Sequence, residues 1–385
     1  AVGRGNETMT ALILNMGVVD VNEVDATGRT ALHWAAALGS SYILQMLCQS
    51  GAKCLVHDEL GSTPLHYAAQ MNKIECVKIL RAYEANDAPD PHGRFPLHWA
   101  VIQGYTEVAI FLAHNNLNLS VGDVEGRTAL HIAAIYKHAE LLERLLQLGA
   151  NVNAVDAAHQ TPIVICCEEG GFTEGIHLLL EANAALDILD EDDRTPLHHA
   201  CCNDNVEEAE LVLPHQPLLD QPDSSGKTSL MYSSFKGHTG IVASLIERGA
   251  NLDLQDSEGI SALHWAALSG HYAVVQLLLQ AGAYANHREE DGNKNTPLDY
   301  AQYARHDDVA ALLEEYGGVS IVAFETFAAL AIQSAWHKYR DRKLLKQQQG
   351  AEFARNATPL QHTAASTIQK SVRMYLLKKN RDRTK

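Results

Sequence analysis

The side chains in this chain that could do chemistry fall into three groups. Twenty histidines and seven cysteines could ligate a metal or move protons, because neutral imidazole is the commonest metal ligand and titrates near neutrality. The densest such stretch is "PLHHACC" at 196–202, one repeat after "ICC" at 165–167, and His with Cys is a zinc-binding combination. Carboxylates gather in "EDD" at 191–193 and "EED" at 289–291. There is no P-loop-type phosphate cradle, no G-x-S-x-G and no H-E-x-x-H, so no familiar catalytic motif organises these groups.

Spacing decides what the histidines are for. His33, His66, His98, His131, His198 and His264 occupy the same place in a recurring phrase, seen as "GRTALHWAA" at 28–36, "GRTALHIAA" at 126–134 and "GISALHWAA" at 259–267. Aligned on that phrase, repeats start at Thr30, Thr63, Phe95, Thr128, Thr161, Thr195, Thr228, Ser261 and Thr296, separated by 32 to 35 residues. Five residues before each start stands Asp25, Asp58, Asp90, Asp123, Asp156, Asp190, Asp223, Asp256 or Asp291. A residue type locked to repeat phase predicts a hydrogen-bonding bridge between turns, not a metal ligand. Cys167 and Cys201 share a phase in adjacent layers, which stack about 10 Å apart, too far for a disulfide or a tetrahedral site. They read as small buried residues, the acidic runs as solvated tips or docking contacts for a basic partner, and neither enzymatic activity nor a cofactor is expected.

The phrase itself starts a helix. Thr or Ser suits the N-cap, where its oxygen can accept from an orphan N–H. Pro64, Pro96, Pro162, Pro196 and Pro297 follow at the first helical position, where a missing N–H costs nothing. Gly28, Gly61, Gly93, Gly126, Gly226 and Gly259 supply the preceding turn. Small pairs such as Ala35/Ala36 let helices approach closely, and a second helix follows, as in "AELLERLLQLGA" at 139–150. These residues resemble the ankyrin repeat, with its "D-x-x-G-x-T-P-L-H-x-A-A" opening. The resemblance implies an all-α solenoid of helix pairs with short β-hairpin or turn fingers, each unit stable only when stacked on its neighbours.

The boundaries that follow are 1–24 as a truncated repeat whose first half would lie upstream, 25–317 as nine repeats, 318–349 as a basic helix, 350–363 as a linker and 364–385 as a second basic helix. The repeats starting at Thr161 and Thr228 are irregular and lack the histidine, as does the last, starting at Thr296. "VLPHQPLLDQPDSSG" at 212–226 carries three prolines and must shorten or distort its second helix.

Charge is divided unevenly. Residues 321–385 hold 13 Lys/Arg and 4 Asp/Glu, a net +9, against −17 for the chain, leaving −26 on residues 1–320. No eighteen-residue apolar window occurs, so no transmembrane segment is expected. Seven cysteines in two adjacent pairs and three singles do not form a disulfide framework and suit a reducing, cytoplasmic setting.

The basic end has its own pattern. "ETFAALAIQSAWHKYRDRKLLKQQQ" at 325–349 reads as one helix, with Ile332, Trp336 and Tyr339 at i, i+4 and i+7 and Leu345 near the same stripe. Such a basic amphipathic helix fits the Met-rich groove of an acidic EF-hand protein. It resembles the IQ motif: Ile332, Gln333, Arg342 and Leu345 match, while His337 and Lys338 replace the first Arg and the Gly. A second, looser match is "IQKSVRMYLLKK", in which Ile368, Gln369 and Arg373 fit, Lys378 stands for the second Arg, and Val372 and Tyr375 add apolar contacts. The resemblance implies binding of calmodulin or a related EF-hand protein. The junction, "NTPLDYA" at 295–301 and then "GGVSIVAFETFAALAIQ", is similar to the inversin family, which implies a ciliary or cytoskeletal, calmodulin-binding scaffold that docks other proteins on its concave face. No nucleic-acid partner is expected. The alternatives are a tail that binds an anionic membrane or microtubule surface, or one that folds back on the acidic repeats as an autoinhibitory segment.

Overall fold

The computed structural model describes residues 2–4, 6–16, 19–85, 87–115, 119–202, 206–215, 218–289 and 294–348. Two compact units divide the chain, residues 1–257 and 258–385. In the first, helices follow one another as α1 (Glu7–Asn15), α2 (Ala31–Leu38), α3 (Ser41–Gln49), α4 (Pro64–Gln70), α5 (Ile74–Ala82), α6 (Pro96–Ile102), α7 (Thr106–Asn115) and α8 (Ala129–Ile135). They continue as α9 (Ala139–Gln147), α10 (Pro162–Glu169), α11 (Thr173–Glu181), α12 (Pro196–Cys202), α13 (Val206–Val212), α14 (Ser229–Lys236) and α15 (Thr239–Glu247). The second unit contains α16 (Ala262–Ser269), α17 (Tyr272–Gln280), α18 (Pro297–Ala304), α19 (Asp307–Glu315) and the long α20 (Ile321–Gln348).

Within the first unit the helices form two rows. First helices pack on first helices from α2 through α4, α6, α8, α10 and α12 to α14, and second helices likewise from α1 through to α15. The second unit repeats this, α16 on α18 and α17 on α19. At the beginning of the first unit α1 packs on α3, in the second-helix row. Core positions explain the stacking. Leu32, Ala35, Ala36, Leu65, Ala68 and Ala69 are fully buried, and a lone helix pair would leave that apolar surface in water. The proline-rich exit has the predicted effect: α13 has seven residues where α11 and α15 have nine, and a short 3-10 helix, Leu213–His215, follows it.

The fingers are turns, not β-hairpins. Among the described residues there is no β-strand, only one isolated bridge between Val24 and Thr30. Carboxylates take over the work that strand pairing would do. The Asp58 Oδ1 atom accepts from the N–H groups of Leu60 and Ser62 at 3.0 and 2.9 Å, and Asp25, Asp90, Asp123, Asp156, Asp190 and Asp223 repeat the arrangement. Successive turns are joined by single backbone bonds, such as Val124 N–H to His92 O at 3.0 Å and Ala157 N–H to Glu125 O at 2.8 Å. Pro91 has no N–H for this ladder and instead lies against Gly61.

Gly93 shows why glycine is needed here. Its φ is +71°, and a Cβ would stand 2.7 Å from the Val124 nitrogen in the next finger. Gly93→Ala combines left-handed strain with a backbone clash and should cost about 2–3 kcal/mol. Chemical denaturation would show it as a lowered midpoint, and an unchanged midpoint would contradict this packing.

Candidate functional site: finger row and tail helix

The phase-locked histidines use their ring nitrogens to build. At His131 the Nδ1 atom accepts from the Thr128 N–H at 3.1 Å and lies 2.9 Å from the Thr128 hydroxyl. With Nδ1 accepting, the ring proton is on Nε2, which reaches the Gln160 carbonyl in the next repeat at 3.1 Å. His33 reaches Ser62, His66 reaches Arg94, His98 reaches Val121 and His264 reaches Asn295 in the same way. In His198 the Nδ1 contact to Thr195 is kept, but Nε2 finds no partner among the described residues. The predicted bridge between turns is thus present. In the histidine repeats the capping is reciprocal: the ring accepts the N–H of the capping residue, and the Thr or Ser oxygen accepts from the N–H of the histidine, as His198 does to Thr195 at 3.4 Å.

Burial fixes these rings as neutral. It pushes the pKa values of His33, His66 and His131 down, and those of His98, His198 and His264 to about 4, against smaller upward pulls from backbone carbonyls and nearby carboxylates. A ring engaged on both nitrogens and held neutral is not a free ligand or general base. Cys166, Cys167 and Cys201 are buried, and burial pushes Cys166 and Cys201 up to about 12. Among the described residues no group of three or more His, Cys, Asp or Glu is arranged to hold a metal ion.

A second network was not anticipated. In four fingers the other oxygen of the carboxylate accepts from the aromatic residue four positions after the repeat start. Trp34 Nε1 donates to Asp25 at 2.9 Å, Tyr67 to Asp58 at 2.7 Å, Trp99 to Asp90 at 3.1 Å and Tyr232 to Asp223 at 2.6 Å. In the Thr195 repeat His199 takes this place, 2.6 Å from Asp190. The signal was available: Trp34, Tyr67, Trp99, Tyr232, Trp265 and Tyr300 all stand four residues after a repeat start. Burial and the carboxylate together raise the Tyr67 hydroxyl to about 12. Burial pushes the Asp58 carboxyl up, but Tyr67, the Ser62 N–H and Arg29 outweigh it, so its pKa falls below the ordinary value.

Arginines complete this face. Arg29 lies over the rings of Trp34 and Tyr67, 5.5 and 5.1 Å from their centroids, and Arg94 lies 4.9 Å over Trp99. Arg29, Leu60, His66, Tyr67, Gln70 and Trp99 line a shallow cavity of about 230 Å³. Aromatic and arginine side chains of this kind are the usual anchors of protein interfaces.

The acidic run at 289–291 needs correction. Asp291 lies outside the described residues, and Glu289 is buried, not a solvated tip. Glu289 holds the finger itself, accepting from the Asn295 N–H at 3.0 Å and the Tyr300 hydroxyl at 2.6 Å. The longer glutamate serves a turn that is two residues longer here. Asp299 replaces the histidine of the last repeat. Its Oδ2 accepts from the Thr296 N–H at 2.9 Å and from the Ile321 N–H, the first residue of α20, at 2.8 Å. A carboxylate at a helix N-terminus is also favoured by the helix dipole. Asn286 adds bonds to the Val319 N–H and the Gly317 carbonyl, so the start of the tail helix is tied to the last repeat.

The α20 helix begins inside the expected 318–349 segment, four residues before the run read as helical from 325, and carries Ile332, Gln333, Trp336, His337, Lys338, Tyr339, Arg342 and Leu345. Ile332 is half-buried, and Gln333 and Lys338 are exposed. Ile368, Gln369, Val372, Arg373, Tyr375 and Lys378 lie outside the described residues. No described helix is long and apolar enough to cross a membrane.

Comparison with known proteins agrees with this geometry. The family model described as ankyrin repeats (3 copies) matches residues 1–58, 43–123, 115–192, 163–256 and 240–325. The IQ calmodulin-binding motif matches residues 362–380, the second and looser of the two basic segments. Inversin from dog is 32% identical over 200 residues, covering 51% of this chain and 16% of inversin. The fruit-fly transient receptor potential cation channel subfamily A member 1 is 28% identical, covering 57% of this chain and 20% of the channel. The chain therefore spans about a fifth or less of these two relatives. Among solved structures, the human ASB11 ankyrin repeat domain is similar with a TM-score of 0.51 and 27% identity, covering 56% of this chain and 96% of that domain. The ankyrin repeat domain of Bcl-3 is similar with a TM-score of 0.50 and 28% identity, covering 56% of this chain and 98% of that domain. With matches running from residue 1 to 325 over layers that repeat one capped helix pair, the chain belongs to the ankyrin-repeat family.

Proposed function

We propose that the chain is a non-enzymatic scaffold whose repeats dock partner proteins and whose basic tail recruits calmodulin or a related EF-hand protein. The observation that carries this reading is the occurrence of an IQ match at 362–380 in the same chain as repeats matched from 1 to 325. In this reading 318–349 and 364–385 are two separate binding helices joined by 350–363. Ile332, Trp336, Tyr339 and Leu345 anchor the first, with Gln333, His337, Lys338 and Arg342 as polar and charged contacts. Ile368, Val372 and Tyr375 anchor the second, with Gln369, Arg373 and Lys378 around them. The aromatic and arginine finger row is the docking surface for other proteins. Similarity to inversin supports a ciliary or cytoskeletal setting.

Calorimetric titration of the full chain with calmodulin, in calcium and in chelator, tests the recruitment. Ile368→Asp and Ile332→Asp each remove an apolar anchor worth about 2 kcal/mol or more, a loss of thirtyfold or greater at the affected site. Binding in neither condition, or binding unchanged in both variants, would contradict the proposal. The net +9 of residues 321–385 favours one rival, a tail held on an anionic surface. That reading predicts binding to phosphatidylserine vesicles that collapses with salt and no calmodulin requirement.

A further inference from the structure

In the first unit, two thiols stand together where one repeat turns back toward the next. Cys48 is buried in the last turn of α3, and Cys54 lies half-buried in the irregular segment that follows. Their sulfurs are 3.9 Å apart, and the Cys54 thiol also faces the Ala52 carbonyl at 3.8 Å. One repeat later, 33 residues on, the equivalent positions are Arg81 and Asp87, and these form an ion pair at 2.5 Å. The fold therefore brings this helix end and this loop position into side-chain contact in two successive layers. In one layer the contact is ionic, and in the other it is a dithiol.

We propose that Cys48 and Cys54 are a peroxide-responsive pair that closes to a disulfide across the end of α3. A bond of about 2.05 Å requires the sulfurs to approach by about 2 Å. The loop can supply this, since Gly51 beside it is at φ +85° with open space around its Cα. The less buried partner is also the more acidic: the hydrogen bond from Cys48 outweighs burial and lowers Cys54 to about 7, while Cys48 is raised. Thiolate character and access are what select a cysteine for oxidation. Cys202 shares the half-exposed position, but burial raises its pKa.

The chemistry balances with hydrogen peroxide as oxidant. The Cys54 thiolate attacks one peroxide oxygen, the O–O bond breaks, and a sulfenic acid forms as hydroxide leaves. The Cys48 sulfur then attacks the Cys54 sulfur, the S–O bond breaks, and the hydroxyl leaves with the Cys48 proton as water. Two thiols lose two electrons, and one peroxide becomes two waters. The product ties the end of α3 to its return loop.

Trypsin reports the event directly, because Lys53 separates the two cysteines. Cys48 is the one cysteine of peptide 30–53, Cys54 of peptide 54–73 and Cys76 of peptide 74–78. The reduced full chain is treated with a few equivalents of hydrogen peroxide, alkylated, and digested without reductant for mass spectrometry. The expected result is peptide 30–53 joined to 54–73, with the other five thiols alkylated and the link abolished by prior guanidine unfolding. In Cys48→Ser, Cys54 should accumulate as a dimedone-trapped sulfenic acid. Oxidation first at Cys202, a link from Cys48 to peptide 74–78, or full alkylation of Cys48 and Cys54 would overturn the proposal. So would an absence of dimedone adduct in folded Cys48→Ser.

Discussion

His131→Ala should lower the unfolding free energy by about 4 kcal/mol. His131 is fully buried, and its ring joins the Thr128 N–H and hydroxyl to the Gln160 carbonyl 29 residues away. Alanine leaves those groups buried without partners, at about 1–3 kcal/mol for each unsatisfied group, and adds a cavity. The loss falls on the interface between two layers, and in a repeat array each layer is stable through its neighbours. Urea denaturation should show a lower midpoint, and hydrogen exchange should quicken in both α8 and α10. His114→Ala is the control, since His114 is exposed and its bond among the described residues is to Ile110 O in its own helix; it should change stability by less than about 0.5 kcal/mol. Equal effects of the two substitutions would contradict the bridging role.

Acid should unfold the repeats well above the ordinary carboxylate range. His98, His198 and His264 have folded pKa values pushed to about 4 by burial, below the ordinary histidine value of 6.5. Between those values the unfolded chain binds more protons than the folded one, so stability rises with pH across this window. Their contribution is complete above pH 6.5 and is lost progressively as pH falls toward 4. At pH 5 each of the three has given up about 2 kcal/mol. His33, His66 and His131 shift in the same direction. Asp58, Asp90 and Asp223 have lowered values, so their stabilisation is lost in a separate window, as pH falls below about 4. Urea midpoints at pH 7.5 and pH 5, at constant ionic strength, should differ strongly. Equal midpoints would mean that the histidines are accessible to protons in the folded state.

The repeat was legible because its determinants are local. A cap, a proline, a glycine and an Ala pair act within one helical turn, so their spacing in sequence is their spacing in space. The histidine bridge could be inferred too, since phase-locking made a shared structural role the simplest explanation. The finger network was harder to see, because Asp58 and Tyr67 meet only when the turn between them folds back. The sequence left the finger open between a hairpin and a turn for a related reason. A hairpin and a turn held by one carboxylate share the same Gly and Asp signals, and the side-chain bonds to Leu60 and Ser62 decide between them. The run "EED" looks like a charged surface segment, whereas Glu289 takes in its finger the buried role that an aspartate holds in the others. Asp299 was visible only as part of a junction phrase, yet its carboxylate joins the last repeat to the tail helix. The tail anchors rest on helical spacing and on the IQ match at 362–380.

Hydrogen exchange of the full chain with and without calmodulin tests the division between docking repeats and recruiting tail most directly. The account predicts slower exchange in residues 325–348 and 362–380, with the repeats from α2 to α19 unchanged. Protection confined to the repeats, with the tail exchanging as before, would contradict it.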